Sequence, residues 1–123
     1  LNHHIESKAY AKMIYLIQER GTKKQIEEML ETLGSYIKLA VDIERALLAG
    51  GGEYHADCEA VLLENGSKQV DIWGADWYPL TQEVGYESLI NIRPRQNNRS
   101  MEIQDPVIRE RVAQIVQQLL GGL

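Results

Sequence analysis

Hydrophobic and polar residues alternate along "YIKLAVDI" (36–43): Ile37, Leu39, Val41 and Ile43 take one face, Tyr36, Lys38, Ala40 and Asp42 the other. A period of two predicts a half-buried strand. Upstream, "MIYLIQ" (13–18) is a short apolar run that predicts a strand. Thr22 and Gln25 follow it with the spacing of a capping box, opening a helix. Ile26, Met29, Leu30 and Leu33 then recur at helical spacing, and Gly34 stands where a left-handed cap would end that helix. Near the other end, Asp105-Pro106 provides an N-cap and a proline at the first helical position. The stripe Ile108, Val112, Ile115, Val116, Leu119 and Leu120 follows, up to Gly121.

The middle of the chain is less regular. Glu44 to Ala49 is either a continued strand through a bulge or a short helical turn, and Gly50, Gly51 and Gly52 break it, reading best as a hairpin tip. Asn65-Gly66 lies between two apolar-rich runs, which predicts a tight hairpin joining strands at about 54–64 and 67–73. Residues 74–85 carry Pro79 and read as a loop; "YESLINIRP" (86–94) reads as a last strand and "RQNNRS" (95–100) as a loop. The order β-α-β-β-β-β-α implies an α+β fold: a mostly antiparallel sheet of about five strands with two helices packed on one face.

At 123 residues the chain holds one domain's worth of core. Its first dozen residues, "LNHHIESKAYAK", contrast with the strand that begins at Met13 and read as expression-vector sequence or a disordered leader, which leaves 13–123 as a single domain. Setting His3 and His4 aside with that leader leaves His55 as the only histidine, and Cys58 is the only cysteine. An intrachain disulfide, a cysteine-based zinc cluster and a histidine-only metal site within one chain are thereby excluded. No apolar run is long enough to span a membrane and no secretory leader stands out, so a cytoplasmic protein is expected.

Charge divides the chain. From Met13 to Ile92, four Lys and two Arg face ten Glu and four Asp, a balance of −8; from Arg93 onward, five Arg face two Glu and one Asp, a balance of +2. An acidic body repels a polyphosphate, so duplex nucleic acid is not an expected partner, whereas a small anionic ligand fits the Arg-rich segment.

Three constellations carry candidate chemistry. On a strand at 54–64, His55, Asp57 and Glu59 would share one face, a row able to transfer a proton or hold a divalent metal; the competing reading is a solvated or ion-paired face. If the segment is helical, His55 and Glu59 still share a face. The second constellation is "RPRQNNRS", where Arg93, Arg95, Asn97, Asn98 and Arg99 have the donors of an anion site, unless the arginines pair internally with the acidic body, Asp57 and Glu59 included. The third is Trp73, Trp77 and Tyr78, aromatics outside the expected core that suggest an interface and hence a homo-oligomer. Two functions are consistent with these residues. One is an oligomeric binding module for a small anion or a partner carboxylate. The alternative is a metal-assisted hydrolase, a phosphodiesterase or nuclease, using the His55/Asp57/Glu59 face and the Arg93–Arg99 loop. The residues single out no cofactor and no metal identity.

The stretches "MIYLIQERGTKKQIEEML", "YIKLAVDIERALLAGGGEYHADCEAVLLENGSKQVDIWGADWYP" and "ESLINIRPRQNNRSMEIQDPVIRERV" resemble a family of short bacterial proteins of unknown function, well represented in cyanobacteria. The resemblance runs from Met13 to Leu123 and implies no particular activity, cofactor or site.

Overall fold

The computed structural model describes residues 14–123; the expectations for the leader, for His3 and His4 and for Met13 lie outside the described residues. The fold is α+β, with strands β1 (Tyr15–Ile17), β2 (Ile37–Asp42), β3 (Leu47–Gly50), β4 (Ile72–Tyr78) and β5 (Glu83–Gly85). The helices are α1 (Lys23–Leu30), α2 (His55–Glu64) and α3 (Pro106–Leu120). The strands form one antiparallel sheet in the order β1-β3-β2-β4-β5.

The alternation in β2 sorts the two faces. Ile37, Leu39 and Val41 join Leu48 of β3 and Trp73, Ala75 and Trp77 of β4 in the main core. Ile26 and Met29 of α1 and Val112, Ile115, Val116, Leu119 and Leu120 of α3 cover that face, so the two helices read from the sequence do share one side of the sheet. Their caps are the expected ones. Thr22 and Gln25 make a reciprocal capping box, and the Asp105 carboxylate accepts from the Val107 N–H at 2.8 Å.

Five expectations are corrected. Within the expected strand 54–64, His55–Glu64 form helix α2, and α2 covers the opposite face through Cys58 and Leu62 against Ala40, Leu47, Ala49 and Ile72. Asn65-Gly66 ends that helix instead of turning a hairpin: only Gly66 has a positive φ, 97°, while Asn65 stays at −87°, as a helix C-terminus requires and a type I′ turn does not. The expected loop 74–85 contains most of β4 and all of β5, whereas 86–94 holds no strand but a 3-10 turn at Leu89–Asn91 and the start of another at Pro94–Gln96. The undecided stretch resolves as β3, and the triple glycine is not a hairpin tip. Gly50 lies inside β3, where an added Cβ would come 2.6 Å from Leu39 Cδ2, so that position serves close packing.

The outer edge of β4 is closed residue by residue. Asp76, Trp77 and Tyr78 pair with β5. Beyond β5, the carboxamide of Asn91 takes over: Gly74 N–H donates to Asn91 Oδ1 at 2.8 Å, and Asn91 Nδ2 donates to Gly74 O at 3.0 Å. One side chain thus imitates one residue of a neighbouring strand. At Ile72 the free carbonyl accepts from the Arg93 guanidinium. This substitution of side chains for a sixth strand fixes the Tyr86–Ile103 segment against the sheet, satisfying backbone groups that burial would otherwise leave costly.

Candidate functional site

Helix α2 begins at His55, and its 3.6-residue period turns His55 and Glu59 toward β4 while Asp57 points away and is exposed. The row expected from a strand therefore does not form. Asp57 sits in the first helical turn, where its charge favours the helix dipole.

His55 Nε2 lies 2.8 Å from Asp76 Oδ1 and 3.0 Å from Ala75 O. A carboxylate and a carbonyl only accept, so Nε2 carries a proton and donates to both; in the neutral ring Nδ1 is then the lone-pair nitrogen. Lys38 stands directly opposite Asp76 in the β2–β4 register and donates from Nζ to Glu53 O at 3.0 Å. His55 thus ties the start of α2 to the sheet.

One helical turn on, Glu59 Oε2 lies 3.6 Å from Arg93 Nη2, too far for a hydrogen bond and close enough for an ion pair. Among the described residues no donor bonds that oxygen. Arg93 is otherwise taken up mostly by backbone carbonyls. Its Nε donates to Ile90 O at 2.9 Å, Nη1 to Gln69 O at 2.7 Å and to Gln96 Oε1 at 3.2 Å, and Nη2 to Ile72 O; its Cζ lies over the Trp73 ring, 4.7 Å from the centroid. Burial lowers the Arg93 pKa from its ordinary value, and the Glu59 charge opposes that shift.

The remaining residues of the Arg/Asn segment divide. Asn98 is buried, donating from Nδ2 to Asn91 O, Ser100 O and Glu102 O at 2.8, 3.0 and 2.9 Å and accepting at Oδ1 from Gln104 N at 2.8 Å. It holds the loop together and has no donor left for a ligand. Arg95, Asn97 and Arg99 are exposed, and Asn97 adopts a left-handed φ of 59°. The internal pairing weighed for this segment is realised at Arg93 and Glu59; the anion-site reading keeps only the exposed arginines.

The aromatic constellation is also redistributed. Trp73 and Trp77 are 1% and 0% exposed, inside the main core, because 72–78 is a strand whose odd positions face α1 and α3. They offer no surface for an interface. Tyr78 alone reaches solvent, stacked on Tyr36 with ring centroids 5.3 Å apart.

A different surface stands out. Gln69, Val70, Leu89, Ile90, Ile92, Pro94, Arg95 and Gln96 line an open cleft of about 620 Å³, with Arg93 and Glu59 in its wall. Val70, Leu89 and Ile92 are 57%, 72% and 45% exposed. Among the described residues Arg93 and Glu59 offset each other and Arg95 has no acidic partner, so Arg95 gives the lining its uncompensated positive charge. Sequence reasoning missed this cleft because a strand at 86–94 spreads Leu89, Ile90 and Ile92 along a sheet edge. The 3-10 turns gather them beside Val70.

Among the described residues, no three His, Cys, Asp or Glu side chains are grouped to hold a metal ion. Nor, among those residues, is any helix long and apolar enough to cross a membrane. Cys58 is fully buried and burial pushes its thiol up to about 11, which keeps it protonated and unreactive at neutral pH.

Sheet order, a helical layer on each face and one amphiphilic cleft at the end of β4 define an α+β protein with a candidate docking surface. The chain matches the family model described as "Protein of unknown function (DUF5674)" over residues 15–119, and it belongs to that family. No curated protein and no solved structure matches it.

Proposed function

We propose that the chain is a binding module that holds an aliphatic, carboxylate-bearing segment of a partner protein in the cleft beside α2. The observation that carries this reading is the gathering of three exposed aliphatic side chains, Val70, Leu89 and Ile92, at one concave surface whose uncompensated charge is that of Arg95. Scattered exposed aliphatics are ordinary; a contiguous set rimmed by polar groups marks a place where another molecule removes water. Arg95 supplies the specificity, since a guanidinium pairs with a carboxylate through two parallel hydrogen bonds. The expected homo-oligomer draws its support from the same aliphatic patch, no longer from the tryptophans.

Metal-assisted hydrolysis by His55, Asp57 and Glu59 draws no support from the geometry. His55 is tied to Asp76, Asp57 faces solvent elsewhere and Glu59 faces Arg93. The test of the binding reading uses N-acetyl-leucine, which combines an aliphatic side chain with a carboxylate, in ligand-observed saturation-transfer NMR at low micromolar protein. The expected result is a saturable signal that is lost in Leu89→Asp and weakened in Arg95→Gln, with N-acetyl-leucinamide binding less well than the acid. Equal signals from all three proteins would show that the contact is made elsewhere.

A further inference from the structure

We infer that the partner of the cleft is a second copy of this chain, each copy inserting Leu80 of its β4–β5 turn between Val70, Leu89 and Ile92 of the other. The inference rests on the cleft being a docking surface and adds the identity of what docks there. Leu80 is 95% exposed, more than any other large apolar side chain among the described residues.

The turn that carries it is braced. Gln82 adopts a left-handed φ of 61°, and its N–H donates to Tyr78 O at 2.7 Å. Its side chain donates from Nε2 to Pro79 O at 2.7 Å and accepts at Oε1 from Gly122 N–H at 2.6 Å, while Gln117 of α3 donates from Nε2 to Gln82 O at 3.1 Å. Hydrogen bonds from both sides therefore hold a leucine out into water. A turn whose backbone is already braced in the free chain loses little backbone freedom on insertion, which is what preorganised recognition requires.

Charge and symmetry agree with this pairing. Glu83 is exposed at the foot of the turn, and Arg95 is exposed at the cleft rim, so insertion of Leu80 brings opposite charges toward each other. The turn leaves β4 after Tyr78, whereas Val70 lies just before β4 begins at Ile72, so knob and cleft sit at opposite ends of one seven-residue strand. At roughly 3.3 Å per residue, that separation is about 23 Å. Reciprocal insertion closes a dimer where a twofold axis running beside the molecule brings each knob to the other copy's cleft, and both insertions then form together.

Sedimentation velocity over a concentration series tests the inference. The expected result is a dimer for the unchanged chain, and monomers for Leu80→Asp and for Leu89→Asp at concentrations where the unchanged chain is dimeric. Each variant is expected to raise the dissociation constant on the order of thirtyfold or more, as for a central anchor residue. Circular dichroism confirms that both variants fold, and an equimolar mixture of the two is expected to recover heterodimer, because one intact knob still meets one intact cleft. A monomeric unchanged chain at hundreds of micromolar, or a dimer indifferent to Leu80→Asp, overturns the inference. The cleft itself is tested separately by N-acetyl-leucine binding to the monomeric Leu80→Asp chain. Binding there with no dimer of the unchanged chain removes only the self-docking, whereas no binding removes the cleft reading as well.

Discussion

Glu59 Oε2 and Arg93 Nη2 face each other at 3.6 Å with only 12% and 10% of their side chains exposed, joining α2 to the segment that walls the cleft. The two partners are unequal, because Arg93 also satisfies the carbonyls of Gln69, Ile72 and Ile90. Arg93→Ala is expected to cost about 3 kcal/mol or more, since it strands those acceptors and an unpaired carboxylate, whereas Glu59→Gln costs about 1 kcal/mol. Arg93→Lys does not restore stability, because a point charge cannot span three carbonyls. Urea unfolding of the three variants measures the order; equal losses would contradict the assignment.

Asn91 serves as a one-residue substitute for a strand at Gly74, and its Nδ2 also donates to Tyr86 O and Met101 O at 3.2 and 3.1 Å. Asn91→Asp places a carboxylate oxygen against three carbonyls and is expected to cost about 3 kcal/mol or more, exceeding the loss in Asn91→Leu. Gly74→Ala strains the same contact, since its Cβ would come 2.5 Å from Ser88 Cβ. Amide exchange at Gly74 reports both: protection at that N–H falls in each variant.

Burial raises the Cys58 thiol from its ordinary value of 9.0 to about 11. Between those values the unfolded chain releases the proton and the folded chain keeps it, so stability falls as pH rises through this interval. The full effect is about 3 kcal/mol. Tyr15 and Tyr78 are raised as well, the first mainly by its hydrogen bond to Glu28, the second mainly by burial, and they act with the same sign. The contribution of the thiol is therefore the difference in slope between the unchanged chain and Cys58→Ala; identical slopes would contradict it.

The donor role of His55 Nε2 toward Asp76 and Ala75 fixes the tautomer of the neutral ring. Nitrogen-15 NMR in mildly alkaline solution is expected to show a protonated Nε2 and a bare Nδ1, and Asp76→Asn to weaken that preference. A predominantly Nδ1-protonated ring would mean that α2 is not tied to β4 in this way.

Elements with their own punctuation were legible in the sequence: α1 through Thr22 and Gln25, α3 through Asp105 and Pro106, and β2 through its alternation. From these the α+β class and the shared face of α1 and α3 followed. Helix α2 was not, for two physical reasons. Its apolar residues Ala60, Val61, Leu62 and Leu63 are consecutive and make no stripe, and a glycine with positive φ serves a helix end as well as a hairpin. Gly74 opens the stretch that reads as a loop, yet it lies in β4 and marks the close approach of Ser88 to that strand. The candidate residues were partly legible. Glu59 and Arg93 do meet, because i, i+4 spacing keeps Glu59 beside His55 on the side that faces β4. The cleft was not legible, since it depends on two 3-10 turns that lack a periodic signal.

The most direct measurement of the central claim is a methyl NMR titration of the Leu80→Asp chain with N-acetyl-leucine, leaving every cleft open. Val70, Leu89 and Ile92 methyls are expected to shift together along one saturation curve, while Val107, 75% exposed on α3, stays unmoved. Unsaturating shifts shared by Val107 and the cleft methyls alike would contradict the account.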